Sequence, residues 1–336
     1  MEFGVFDHVD RAGQDLHAYY EERLKLVELY DAIGIHRYHV AEHHGTPLGM
    51  SASPSVYLAA VSQRTKNLRF GPMIYAAPLY HPLRLAEEIC MIDQMSGGRL
   101  ELGFGRGASA IEASFFGWKP EEMQAVYVES VEIILEALQT GTLNYTGEHY
   151  SFKDVPLCLE PSQKPYPPMW YGIHSEESAA RVAREGFNVI SLDSAGETRA
   201  YVDSYRASWQ EKNGAKAPEP RIGISYFIVI AETEEDALAV ARRSYPVWHQ
   251  SFNYLFRRNG TIPRHQRPAD FDGIVAQGRA IAGTPDTVAA FLKDACGTSA
   301  VNYLVGQFAF GDQSLAESER TVRLFADHVM PILKDD

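Results

Sequence analysis

Cysteine is scarce in this chain. Cys90, Cys158 and Cys296 are the only three in 336 residues, and none stands near another. That spacing offers neither a disulfide framework nor a zinc motif, so each thiol reads as a small buried hydrophobe. No apolar run is long enough to cross a bilayer, and membrane insertion is not expected. The opening MEFGVFDHVD carries acids early and lacks a basic segment followed by an apolar one. No signal peptide is expected, and a reducing cytoplasm fits best. Positive charge is also short: 31 Lys and Arg face 44 Asp and Glu, a formal net charge of −13. A field of that sign repels nucleic acid, and no basic stripe interleaved with aromatics answers it. The basic cluster RRNGTIPRHQRP, 257–268, is rich in Gly and Pro and reads as a solvated loop.

What the chain does hold is apolar material, 45% of its residues, ample for one large core or two ordinary ones. It is arranged in a repeating grammar. Strand-like runs (EFGVFDHV, RYHVAEHH, LRFGPMIYA, LELGFGRG, PPMWYGI, NVISLD, RIGISYFIVIA and NYLVGQFAF) alternate with amphipathic stretches. Helical patterns run from His17 to Ile33 with Gly34 as a stop, then over 54–65 with Ser53 as N-cap, and over 82–95. Others cover 109–140, 175–185, 198–212, 233–244 and 314–333, and GTPDTVAAFLKD adds one at 284–294. Eight strand–helix units predict an α/β fold, a (β/α)8 TIM barrel, with a doubly wound open sheet as the alternative that periodicity leaves standing. The near-continuous apolar strands suit parallel strands covered on both faces. Two segments are long for connections. One, about 141–168, reads as a hairpin, LNYTGEHYSF, with a Pro-rich return after the fourth strand. The other, about 249–283, is long and polar after the seventh strand, and segments of that size are often lids. Both are read as insertions in one domain, 1–336.

In such a barrel the strand ends and the loops after them form the active face. AEHHG, 41–45, places a carboxylate and two histidines there. Neighbours in an extended chain point to opposite faces, so His43 and His44 diverge, which argues against a shared metal. LGFGRGAS, 102–109, looks like a phosphate loop without the third glycine of the dinucleotide fingerprint, and a tight turn is its plain reading. Arg106 changes the balance. Between two glycines its backbone can approach a ligand, and its guanidinium can grip an anion bidentately. In GIHSEESAARVAREG, Ser175 or Ser178 can cap a helix whose free N–H groups attract a phosphate. An arginine after the fourth strand and a helix start after the fifth then predict one phosphate clamp across adjoining loops.

HPLRLAEEICMIDQMSGGRLELGFGRG, 81–107, resembles the luciferase-like monooxygenase family, the flavin-dependent barrel enzymes related to bacterial luciferase. EFGVF, AEHHG, SEESAARVAREG, GTPDTVAAFL and VMPIL fall in the family's order. The resemblance implies a (β/α)8 fold, reduced FMN at the strand C-termini, O2 as co-substrate, and a lid over 249–283 shielding a flavin hydroperoxide. It also implies a homodimer. No nicotinamide-binding unit is evident, so reduced flavin is expected from a separate flavin reductase. By the same resemblance His43 matches the catalytic histidine beside the flavin, with Glu42 or His44 packing or hydrogen-bonding behind it. Arg106 matches the arginine on the flavin phosphate, and Ser175 and Ser178 its helix-terminus partners. Met73 and Ile74 occupy the place of a non-prolyl cis peptide against the ring, and Gly105, Ser109 and His174 join the cofactor set. Gly105 stands where light-emitting relatives carry a reactive cysteine, which weakens bioluminescence but not oxygenation. Gln124 stands where an arginine is often found. No metal is expected.

Two other functions stay open. One is an F420-dependent oxidoreductase on the same barrel, although such relatives more often carry Asp-His than Glu-His-His. The other is a flavin-binding protein without turnover, disfavoured by the intact Glu-His-His and the long lid segment. Tyr75, Phe115, Trp118, Phe252 and Tyr254 suggest a small apolar or aromatic substrate.

Overall fold

Strand β1 (Glu2–Asp7) is followed by helix α1 (Leu16–Ala32), and the same alternation repeats through the computed structural model, which describes residues 1–107, 109–263 and 266–334. Next come β2 (Arg37–Val40), α2 (Pro54–Arg64), β3 (Arg69–Pro72), β4 (Tyr75–Ala76), α3 (Pro82–Ser96) and β5 (Leu102–Gly105). Helices α4 (Ala110–Phe115) and α5 (Met123–Gln139) lead to a hairpin of β6 (Thr142–Thr146) and β7 (Ser151–Pro156). The barrel resumes with β8 (Met169–Ile173), α6 (Glu176–Glu185), β9 (Asn188–Ser191), α7 (Ala195–Asn213) and β10 (Ile222–Ile230). Helices α8 (Glu234–Phe252), α9 (Tyr254–Arg258) and α10 (Phe271–Ala276) precede β11 (Ala280–Gly283) and α11 (Pro285–Ser299). The chain then adds β12 (Tyr303–Gln307), α12 (Leu315–Leu324), a π-helical turn (Phe325–Val329) and α13 (Met330–Lys334).

The main sheet runs in the order β3–β2–β1–β12–β10–β9–β8–β5–β4, with all neighbours parallel and β11 set beside β10. A parallel bridge between Phe70 and Leu100, with the Glu101 amide on Phe70 O at 2.8 Å, brings the first strand in that order against the segment entering β5 and closes the ring. Strands β3 and β4 are two halves of one barrel strand, interrupted at the Met73–Ile74 peptide, which is cis. The expected (β/α)8 barrel is therefore the observed fold, and the open sheet is not. Burial on both faces explains the unbroken apolar runs: all nine residues of β10 are buried. At the N-terminal end of the barrel, Glu101 accepts from Arg37 Nε at 3.1 Å and from Trp170 Nε1 at 2.5 Å, and pairs with Arg69. That buried knot ties four strands together beneath the active face. No helix among the described residues is long and apolar enough to cross a membrane.

Several local expectations need correction. Ser53 stands at the start of α2, but its side chain makes no capping bond; Pro54, with φ preset for a first turn, begins the helix. The helical material expected over 109–140 is two helices, because Gly117 at φ +85° and Pro120 break the chain between α4 and α5. Helix α8 runs on past Ser244 through Pro246 to Phe252, where Trp248 and Ser251 are buried. The polar segment 249–283 contains α9, α10 and β11, whose short apolar AIAG run pairs with β10; Arg264 and His265 lie outside the described residues. Cys90 and Cys296 are buried as expected, whereas Cys158 is exposed in the return from the hairpin.

Candidate active site

A cavity of about 1020 Å3 opens at the C-terminal ends of the strands. Its floor is made by strand ends and the residues just beyond them: Phe6 of β1 and His8 after it, His43 after β2, Met73 and Ile74 after β3, and Gly105 of β5. The strands deliver these residues together because they are parallel, so every C-terminus lies at the same mouth.

The chain leaves β2 at Val40, and the two histidines diverge. His43 Nδ1 lies 3.2 Å from Glu112 Oε1, and the other Glu112 oxygen accepts the His44 amide at 3.0 Å. His44 Nε2 turns instead to Glu42 Oε1 at 2.8 Å. Glu42 is held in turn by the Ala76 amide at 3.1 Å and the Tyr80 hydroxyl at 2.9 Å. A carboxylate only accepts, so Glu112 places the Nδ1 proton of His43 toward itself and leaves Nε2 as the second working nitrogen. The imidazole of His8 stacks on that of His43, with centroids 6.0 Å apart and planes inclined by 19°, and meets Trp248 edge-on. Burial, and then the neighbouring His43, push the His8 pKa well below the usual imidazole range, so His8 is uncharged.

A second group of residues stands one quarter of the way round. Strands β5 and β8 are paired, Leu102 with Met169 and Gly103 with Trp170, so the loops that follow them adjoin. Arg106 lines the cavity from the first loop, exposed and with no hydrogen bond or ion pair among the described residues. His174 lines it from the second, and its Nδ1 lies 3.2 Å from Asp193 Oδ2. The next residue, Ser175, caps α6 by accepting the Ser178 amide at 3.2 Å, while Ser178 Oγ donates to Ser175 O at 2.9 Å. Ser109 lines the cavity and caps α4 through the Ile111 amide at 3.1 Å. Asp193 also receives Arg279 at 3.0 Å. Burial pushes its carboxyl up, but the His174 hydrogen bond and the Arg279 charge outweigh that and hold it below the usual range.

The luciferase-like monooxygenase family model matches residues 1–300 of the chain. The chain belongs to that family. It is 37% identical over 330 residues to an uncharacterized protein, y4wF, of Sinorhizobium fredii, an alignment covering 98% of this chain and 96% of the relative. Its fold superposes on monooxygenase RslO1 from Streptomyces bottropensis with a TM-score of 0.87 at 28% identity, covering 98% and 99% of the two chains. It also superposes on the oxygenating constituent of 3,6-diketocamphane monooxygenase from Pseudomonas putida, a type II Baeyer–Villiger enzyme solved in complex with FMN. There the TM-score is 0.80 at 20% identity, covering 98% of each. The chain is thus an oxidoreductase of the luciferase-like monooxygenase class.

In this luciferase-like monooxygenase one cavity gathers His43, Met73, Ile74, Gly105, Arg106, Ser109 and His174. Ser175, exposed, and Ser178, half-buried, follow His174 in the chain and do not line the cavity. Of the aromatic residues read as substrate contacts, Phe252 alone lines the cavity among the described residues. Tyr75 is buried behind it on Ser55 at 3.0 Å, Trp118 meets His149, and Phe115 and Tyr254 are exposed. Sequence reading places Asp193 at a strand end on the active face but gives it no role, and it misses Glu112, Arg267 and Arg279, which stand far from their partners along the chain. Among the described residues no group of three His, Cys, Asp or Glu is placed to hold a metal ion.

The site can be tested for a flavin nucleotide on its own features. A bare guanidinium, the start of an eight-residue-or-longer helix, a glycine-lined wall and a cavity of about 1020 Å3 fit a phosphorylated planar cofactor with room for a second molecule.

Proposed function

We propose that this enzyme binds reduced FMN and uses O2 to oxygenate a small, largely apolar organic molecule. The observation carrying this reading is Arg106: an unneutralised guanidinium beside the N-terminus of α6, on paired strands, sharing one cavity with His43. Arg106, Ser175 and Ser178 hold the phosphate, with Ser109 and His174 at the flanks. Met73, Ile74 and Gly105 form the wall for the ring. When bound, the flavin supplies electron transfer and oxygen activation. The protein's own part is positioning, shielding and proton handling. His43, oriented through Nδ1 by Glu112, holds or delivers a proton at Nε2. Phe252, Leu255 and Phe256 of the covering segment keep water from the cavity.

The FMN complex of the Pseudomonas putida protein, on the same fold, supports the cofactor, and its being an oxygenating constituent suits reduced flavin delivered by a separate reductase. The test is direct. The purified protein is titrated with FMN and with F420, and oxygen uptake is followed with chemically reduced FMN and a compound panel. FMN binding with substrate-dependent uptake and an oxygenated product is the expected result. F420 binding with oxygen-independent reduction overturns it, and flavin binding without turnover on any substrate points to a carrier protein.

A further inference from the structure

Among the described residues three guanidiniums line the cavity: Arg106, Arg267 and Arg279. Arg279 is neutralised by Asp193 at 3.0 Å and Glu197 at 3.2 Å. Arg106 is accounted for by the cofactor phosphate in the reading above. Arg267 remains. It is half-buried, and no carboxylate among the described residues lies within ion-pair distance of it. Its side chain has one long hydrogen bond, from Nη1 to Leu192 O at 3.4 Å, while its backbone carbonyl is fixed on His249 Nε2 at 3.1 Å.

The acids of the same wall are committed elsewhere. Asp193 is shared by Arg279 and His174, Glu197 by Arg279 and the Ser194 hydroxyl, Glu112 by the two histidine positions, and Glu42 by His44 and Tyr80. Burial, and then Arg279 nearby, work against the Arg267 charge, and the more distant Asp193 and Glu197 only partly offset them. A partly desolvated cation with no carboxylate in direct contact is a costly arrangement unless a ligand completes it. Location then identifies the ligand. Leu192 follows β9, two places round the ring from β5, so Arg267 is anchored on a different strand end from the loop that carries Arg106. The positive charge of Arg267 is also felt by His8, the ring stacked on His43. Phe6, Leu48, Phe252 and Leu255 supply an apolar lining in the same cavity.

We infer that Arg267 receives an anionic group, a carboxylate, on the organic substrate, whose apolar body then lies along Phe252 and Leu48 toward His43. The inference rests on the oxygenase reading for what happens to the bound molecule, but not for the binding itself. A guanidinium matches a carboxylate bidentately, and such charge-assisted pairs are about twice as strong as neutral ones.

The test uses a panel of aromatic and alicyclic carboxylates, 1-naphthoate among them, each paired with its primary amide, measured calorimetrically against the protein with and without FMN. At least one carboxylate is expected to bind about tenfold more tightly than its amide. Arg267→Gln should abolish that preference while changing FMN affinity less than about twofold, and Arg267→Lys should restore part of it. Arg106→Gln should do the reverse, weakening FMN and sparing the carboxylate. Thermal melting of each variant reports whether it folds. No carboxylate preferred over its amide anywhere in the panel, including no binding at all, overturns the inference. So does a loss of FMN rather than carboxylate in Arg267→Gln, which would make this arginine a second phosphate ligand. A protein that discriminates carboxylates yet fails to bind FMN keeps this subsite and discards the oxygenase reading.

Discussion

Glu112 holds His43 from behind: one carboxylate oxygen lies 3.2 Å from the imidazole Nδ1 and the other accepts the next residue's amide at 3.0 Å. The carboxylate thereby fixes both the ring and the backbone that carries it. His43→Ala should lower oxygenation by about 100-fold or more while leaving FMN affinity nearly intact. Glu112→Gln, which keeps the shape but loses the acceptor pair, should lower kcat about tenfold with KM little changed, and Glu112→Asp should recover part of that loss. Equal losses of turnover and flavin binding in His43→Ala would refute a proton-handling role.

Ile74 and Gly105 fill one space between them. A Cβ on Gly105 would lie 2.8 Å from Ile74 Cδ1 and 2.9 Å from Cγ1, so any side chain there must displace the isoleucine. Gly105→Cys alone should therefore weaken FMN binding by about tenfold, and Ile74→Ala in the same chain should restore it. Flavin fluorescence titrations of the single and double variants decide the matter: additive losses would show that the two side chains do not compete.

Arg106 is the simplest case to test. Removing it takes away the charge-assisted contact proposed for the phosphate, so Arg106→Ala should weaken FMN binding by about 10- to 100-fold. Riboflavin, which lacks the phosphate, should lose little. A variant that binds both ligands as tightly as the parent removes Arg106 from the site.

Asp10 makes stability depend on pH. Its buried carboxyl is pushed up to about 7, burial outweighing Arg23 at 4.0 Å and the Gly311 amide at 2.7 Å. In the unfolded chain the same group titrates near 3.8. The folded state thus holds a proton that the unfolded state has released, so the contribution is full below about pH 4 and is lost as pH rises through about 7. Asp10→Asn, which can still accept from Gly311, should gain stability relative to the parent between pH 5 and 8. Urea unfolding at both pH values measures it; parallel behaviour of the two proteins would put the titration elsewhere.

Much of this was visible in the amino-acid order alone. Alternating apolar runs and amphipathic stretches specify strand, helix and barrel because those preferences act over a few residues. The same short range explains why the divergence of His43 and His44, the Gly-Arg-Gly turn at 105–107 and the Ser175 cap could be placed before any contact was seen. It also explains the misses. Glu112 meets a histidine 69 positions away, and Arg279 meets Asp193 across 86. Only ring closure, which brings every strand end to one mouth, decides which loops adjoin and which charges are satisfied there. Arg267 is of the same kind: a basic loop by composition, a lining residue by tertiary position. No local pattern can say that Asp193 and Glu197 pair with Arg279 instead, because that depends on everything else packed around the cavity.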